Sequence, residues 1–223
     1  MNAYVGNELE LFAGATNWKQ YWKRRILPYV HGDVLDIGAG AGATRASFLK
    51  TEFNTWHAVE PDESYARRIT YPNTTVTAGT LQDVAGLFDT VLYIDVLEHI
   101  EDDQGELQQA SQHLRPGGHL IVLSPSHNFL FSPFDEAIGH YRRYNRVMLQ
   151  ALTPGGANLT HLEYIDSLGM ILSLANRWLL RSSSPTQNQI QTWDKLVVPL
   201  SRLMDPLLGR RLGKSIIAVW QKP

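Results

Sequence analysis

The sequence predicts an α/β fold: a mostly parallel sheet with helices on both faces. Three observations carry that expectation. Short apolar runs over residues 34–37, 56–59, 75–77, 88–94 and 119–123 alternate with stretches of helical pattern. The connections between them are short, as in successive βαβ units. A glycine-rich turn, Gly38 to Gly42, follows the first run directly and opens a helix. A chain of 223 residues fits one substantial domain. It is read as a single domain over 1–223, with an N-terminal helical segment over 1–30 and a helical insertion over 167–213 before the last strand.

Taken in order, Trp18, Tyr21, Trp22 and Arg25 recur at helical spacing, and Pro28 and Gly32 punctuate. An amphipathic helix packed on the core accounts for the aromatics; substrate contact is the sharper alternative. Strand 34–37 leads through the glycine turn into a helix over about 43–50. Strand 56–59 ends in Glu60-Pro61-Asp62, and a helix runs over 64–69. Strand 75–77 precedes Gly79-Thr80, and 88–94 is a buried-looking fourth strand. A helix over 103–114 stops at Arg115-Pro116-Gly117-Gly118 before strand 119–123. A helix over 146–152 and a strand over 159–165 follow. The insertion is broken by Ser182-Ser183-Ser184-Pro185, and 215–220 is the last apolar strand. Such an insertion serves as a lid, a substrate wall or the surface of a homodimer. Met170, Ile171, Leu174 and Trp178 recur in it at helical spacing, which suits core or dimer packing; an acceptor pocket or membrane contact is the alternative.

Composition narrows the function. With 43% hydrophobic and 19% charged residues the chain can build a packed core and is not disordered. A net charge of −2 argues against a large basic footprint, so no nucleic-acid partner is expected. The absence of cysteine removes disulfides, thiolate metal sites and cysteine nucleophiles together, and agrees with a reducing compartment. The first residues lack a basic stretch followed by an apolar one, and no run approaches the roughly 20 apolar residues of a transmembrane segment. A cytoplasmic protein is expected.

The glycine turn reads Asp36-Ile37-Gly38-Ala39-Gly40-Ala41-Gly42. Glycines let the backbone turn sharply and approach a ligand without a Cβ in the way. Gly38, Gly40 and Ala43 also satisfy the Rossmann dinucleotide spacing, so the turn alone fits two cofactor classes. Asp36 shifts the balance. Two residues before the first glycine, its carboxylate would repel a pyrophosphate and attract an ammonium, a contact worth about 1.5–3 kcal/mol. Glu60, at the end of the second strand, lies close to the offset at which an acidic side chain accepts both ribose hydroxyls.

These segments resemble the class I S-adenosylmethionine (SAM)-dependent methyltransferases. Residues 34–42 resemble that family's glycine motif, Val59-Glu60-Pro61-Asp62 its acidic ribose-binding strand end, 88–100 its fourth-strand segment, and Leu114 to Gly118 its turn into the fifth strand. The resemblance implies a Rossmann-like, seven-stranded sheet whose last strand is antiparallel, SAM as cofactor and S-adenosylhomocysteine as product. It places Asp36, Gly38, Ala39, Gly40, Gly42, Glu60, Pro61, Asp95 and Val96 at the cofactor, with Gly79, Thr80 and Leu81 near the adenine ring. An acidic residue that many relatives carry there is missing, so Thr80, Gln82 or a backbone carbonyl is expected to take its place. The stretch Asp135 to Tyr144 resembles the Asp-x-x-x-Gly-His-x-Arg-Arg-Tyr segment of a bacterial branch related to the type 11 and type 23 groups.

Ligands of an open α/β sheet collect beyond the carboxyl ends of its strands. Asp95, Glu98 and His99, residues 124–128 and the segment 135–144 are therefore placed to face a small-molecule acceptor. Methyl transfer from a sulfonium is mainly a positioning task, and a hydroxyl acceptor also needs its proton removed, which suits histidine. His140 is the first candidate base and His99 the second; Tyr141, Arg143 and Tyr144 are candidate substrate contacts. No metal site stands out, because Asp95, Glu98 and His99 have no further spaced ligands. The expected function is methyl transfer to oxygen or nitrogen of a small-molecule, glycan or lipid-precursor acceptor. The alternatives are a non-catalytic SAM-binding partner protein and an NAD-dependent oxidoreductase.

Overall fold

The computed structural model describes residues 12–175 and 186–223. The first residues of the N-terminal segment, Trp178 and the break at Ser182 to Pro185 lie outside them. The strands are β1 (Asp33–Ile37), β2 (Thr55–Glu60), β3 (Thr74–Ala78), β4 (Phe88–Ile94), β5 (Leu114–Pro125), β6 (Asn158–Ile165) and β7 (Ser215–Gln221). They form a seven-stranded sheet in the order β3-β2-β1-β4-β5-β7-β6. Five strands pair in parallel, while β7 runs antiparallel to both β5 and β6. The order reverses between β1 and β4, which opens a crevice beyond the carboxyl ends of those strands.

The central strands β1, β4 and β7 read as near-continuous apolar runs because both faces are covered. Alternation divides them cleanly. Leu92, Ile121, Leu123, Ile217 and Val219 face one core; Val91, Tyr93, Leu120, Val122, Ile216 and Trp220 face the other. The first core is closed by α1 (Thr16–Ile26), whose Trp18, Tyr21, Trp22 and Ile26 are buried as the aromatic spacing predicts. After the glycine turn come the short helices α2 (Ala43–Ser47) and α3 (Glu63–Ala66). Helices α4 (Asp103–Gln112) and α6 (Arg146–Ala151) flank α5 (Pro133–Ala137) in the chain, and Leu107, Ala110 and Leu149 bury into the second core. Beyond β6 lie α7 (Ser167–Ala175), α8 (Gln187–Thr192) and α9 (Val198–Leu207).

Several boundaries differ from expectation: the helices expected over 64–69 and 103–114 end at Ala66 and Gln112. Helix α2 stops at Ser47 rather than Lys50, because the chain turns extended at Phe48 and a 3₁₀ turn follows over Lys50–Glu52. The segment Arg115 to Gly118 is not a turn ahead of β5 but part of it, with a register shift between Phe88 and Thr90 of the partner strand. Gly118 permits this: a Cβ there would sit 2.9 Å from the carbonyl oxygens of Arg115 and Asp89.

Buried carboxylates tie the insertion to the body. Asp194 accepts the Trp18 N–H at 2.8 Å at the start of α1, where helical N–H groups lack partners. Asp205 accepts the N–H groups of Asp166 and Ser167 at 2.7 and 3.0 Å and the Tyr21 hydroxyl. Asp166 in turn takes the Trp193 indole N–H at 2.9 Å. The outer surface of α9 and its approach leaves Leu196, Leu200, Leu203 and Leu207 exposed.

Candidate active site

A cavity of about 1670 Å³ occupies the crevice. A single ligand pocket is usually about 300–1,000 Å³, so this one has room for a cofactor and a second molecule. The ends of β1, β2 and β4 floor it, and α1, α5, α7 and α8 wall it. The insertion thus lines the cavity on its inner side, and Trp18 and Trp22 back the cavity as well as filling the core.

One end is built by backbone. Gly38, Gly40 and Gly42 have φ of 66°, 54° and 84°, the left-handed region that glycine adopts without cost. A Cβ on Gly38 would lie 2.5 Å from Cγ2 of Val96, so the turn can approach the loop after β4 only as glycine. Glu60 is buried beneath the turn: its Oε2 accepts the Gly40 N–H at 2.8 Å and its Oε1 the Asp62 N–H at 2.9 Å. Each oxygen keeps a further lone pair for a hydroxyl. Burial pushes the Glu60 carboxyl up, and the two backbone hydrogen bonds oppose it. Gly38, Ala39, Gly40, Glu60, Pro61, Thr80, Leu81, Asp95 and Val96 all line the cavity, and Gln82 joins them beside Leu81. Asp95 has a φ of 55°, uncommon for a side chain that carries a Cβ, which turns its carboxylate toward the cavity.

Three expected cofactor residues stand elsewhere. Asp36 is 1% exposed and lies inside the core, where Trp56 donates its indole N–H at 3.2 Å. Burial raises its pKa to about 7, opposed by that hydrogen bond and aided by the charge of Glu60. It therefore supports the turn from below and does not face a ligand. Gly42 and Gly79 are likewise behind the wall. Gly42 caps the start of α2, and Gly79 donates its N–H to the Glu60 carbonyl at 3.0 Å.

The other end is built by side chains. Arg143 grips Asp135 with two hydrogen bonds of 2.8 Å, and Ser132 caps the same carboxylate with its N–H and hydroxyl. These partners hold the Asp135 carboxyl far below its ordinary range despite burial. Asp135 then orients His140, whose Nδ1 lies 2.9 Å away. The His140 Nε2 faces Glu98 Oε1 at 3.9 Å, and Ser124 donates its hydroxyl to Glu98 Oε2 at 2.9 Å. His99 meets His140 edge to face, ring centres 4.5 Å apart. Burial, the His140 charge and the opposing backbone of Gly139 and Ile138 leave the His99 pKa at about 4, so its ring is neutral at physiological pH. The two candidate bases, far apart in sequence, are thus brought together beside a buried Glu98.

Of the expected substrate contacts, only Arg143 lines the cavity, and its Nη1 is buried without a partner. Tyr144 is fully buried: its hydroxyl donates to Asp103 at 2.8 Å, and its N–H to the Pro125 carbonyl at 2.9 Å ties the segment to β5. It cannot meet a substrate. Tyr141 is 53% exposed and turned outward beneath the Arg142 guanidinium. One residue escaped sequence reasoning. Lys214, just before β7, enters the cavity over the Trp193 ring at 5.2 Å, its pKa lowered by burial against the pull of Asp166, Asp135 and Asp95.

The strand order, the antiparallel β7 and the glycine cradle over Glu60 define the fold of class I SAM-dependent methyltransferases. Residues 16–176 match the family described as a methyltransferase domain, and the chain belongs to that family, whose cofactor is SAM. The demethylmenaquinone methyltransferase of Tropheryma whipplei (strain Twist) is 31% identical over 143 residues, 59% of this chain and 57% of the relative. The chain thus spans little more than half of that relative's length. The trans-aconitate 2-methyltransferase of Deinococcus radiodurans is 28% identical over 192 residues, 78% of this chain and 72% of the relative. Coclaurine N-methyltransferase, solved with N-methylheliamine and S-adenosylhomocysteine, superposes with a TM-score of 0.62 at 13% identity, over 93% of this chain and 72% of its own. The cradle fits SAM on this protein's own geometry: no Cβ intrudes at Gly38, and Glu60 retains acceptor capacity. Among the described residues no helix is long and apolar enough to cross a membrane.

Proposed function

We infer that this chain methylates oxygen or nitrogen of a small-molecule acceptor, which includes glycan and lipid precursors. The observation that carries the reading is one continuous cavity with the glycine cradle at one end and the Glu98, His99 and His140 cluster at the other. SAM supplies the electrophilic methyl when bound. Glu60 accepts the ribose hydroxyls, Thr80, Leu81 and Gln82 flank the adenine, and Asp95 takes the methionine ammonium in the role the sequence suggested for Asp36. Trp18, Trp22 and Trp193 give the acceptor an apolar wall, while Lys214 and the open Arg143 Nη1 orient its polar groups. His140 Nε2, with Asp135 behind Nδ1, receives the acceptor's proton as the methyl passes to the acceptor and S-adenosylhomocysteine leaves. The two relatives described above are named for small-molecule acceptors, which supports that class.

A methyl-transfer assay with labelled SAM across a panel of small acceptors tests the reading. His140→Ala is expected to bind SAM as wild type does and to lose about 10²–10⁴-fold in turnover. An unchanged rate removes His140 as the base; no turnover on any acceptor favours a SAM-binding partner protein.

A further inference from the structure

We propose that Glu98, His99 and His140 form a site for a divalent transition-metal ion, open on one side to the acceptor. Each residue offers one ligand atom, and the three atoms lie within 4.8 Å of one another. Glu98 is fully buried, and its Oε1 has no hydrogen-bond partner. An unpaired buried carboxylate oxygen is costly unless a cation reaches it.

The hydrogen-bond roles around the cluster sharpen this. Asp135 is held as a carboxylate by Arg143, so His140 carries its proton on Nδ1 and presents a lone pair at Nε2. The His99 ring is held by hydrogen bonds to the backbone of Gly139 and Ile138. Glu98 Oε2 is occupied by Ser124, which leaves Oε1. Three ligand atoms, one from each residue, therefore converge on one point. Arg143 beside them gives its Nε and Nη2 to Asp135.

Two imidazoles and a carboxylate are the donor set of zinc, iron(II), cobalt(II) or manganese(II) sites, and leave coordination positions open. A carboxylate behind a ligating histidine and a hydroxyl behind a ligating carboxylate are the outer partners such sites carry. Ligands about 2.0–2.1 Å from zinc lie about 3.3 Å from one another, so the 3.9 Å gap between Nε2 and Oε1 closes with shifts of a few tenths of an ångström. The open position faces the cavity, where an acceptor oxygen would bind. The proposal rests on the cavity being the acceptor chamber. With an ion bound, His140 is a ligand and no longer a free base.

The test uses the full chain, stripped with chelator and titrated with Co²⁺, followed by visible absorption and metal analysis. Wild type is expected to bind Co²⁺ with intense d–d bands that Zn²⁺ abolishes. Glu98→Gln, which keeps the side-chain volume, and His140→Ala are each expected to weaken Co²⁺ by tenfold or more, with His99→Ala as a third reading. Calorimetry with S-adenosylhomocysteine is expected to give the same affinity in all four proteins, which shows that each is folded. A stripped chain that binds S-adenosylhomocysteine but no Co²⁺ overturns the proposal. Equal Co²⁺ affinity in Glu98→Gln, His140→Ala and wild type does so too. Loss of S-adenosylhomocysteine binding in wild type counts against the methyltransferase reading, and the Co²⁺ titration is read independently of it.

Discussion

The glycine-turn end of the cavity is built from backbone over the Glu60 carboxylate, whereas the Asp135 to Arg143 end is built from side chains held by other side chains. The first arrangement depends on φ angles and on the absence of a Cβ at Gly38. The second depends on a buried chain of contacts, Arg143 to Asp135 to His140 to Glu98, in which each group needs its neighbour. A backbone site tolerates change around it and fails at a glycine or at Glu60. A side-chain network carries its stability and its chemistry in the same residues, so it fails as a unit.

That difference is broken most severely at Asp135. Asp135→Ala strands the Arg143 guanidinium in a buried setting, and removing one partner of such a pair costs about 3–5 kcal/mol. Thermal unfolding is expected to shift down by about 10 °C; a shift within 1 °C would show that the network carries no stability. At the other end, Glu60→Ala is expected to leave the fold intact and to weaken S-adenosylhomocysteine by about 10–150-fold in calorimetry, the worth of charge-assisted hydrogen bonds. An unchanged affinity would remove Glu60 from the cradle.

Asp36 sharpens the comparison through pH. Its carboxyl titrates at 3.8 when unfolded and at about 7 when folded. The folded chain keeps a proton that the unfolded chain releases, so this contribution is full below pH 4 and is lost as pH rises toward 7 and beyond. Asp36→Asn is expected to raise the melting temperature by a few degrees at pH 8 and hardly at all at pH 4. A lower melting temperature at pH 8 would contradict the buried placement. The smallest effect belongs to Tyr144→Phe, which gives up the hydroxyl bond to Asp103. It is expected to cost about 1 kcal/mol of stability with KM for the acceptor unchanged.

Much of this was legible in the residues. Apolar runs marked the central strands, because a sheet covered on both faces needs them, and Glu60 declared itself as a charge at a strand end. Asp36 did not, although alternation could have placed it: Val34 faces the core that contains Trp56, so Asp36, two residues on, points the same way. Tyr144 sits beside two arginines in a loop-like stretch, and its burial follows from a bridge to Ser126 that no local pattern encodes. Lys214 was hidden for a topological reason. Because β7 is antiparallel, its first residues arrive at the edge where the parallel strands end, which is the edge of the cavity. The pairing of His99 with His140 is likewise a product of tertiary packing, and with Glu98 it completes a ligand set that spacing alone does not reveal.

The central claim is that the cradle over Glu60 takes SAM and not a dinucleotide, and calorimetry of the full chain tests it most directly. Saturable binding of S-adenosylhomocysteine, abolished or greatly weakened in Glu60→Ala, with no heat from NAD, is the predicted result. Tight binding of NAD with none of S-adenosylhomocysteine would contradict it.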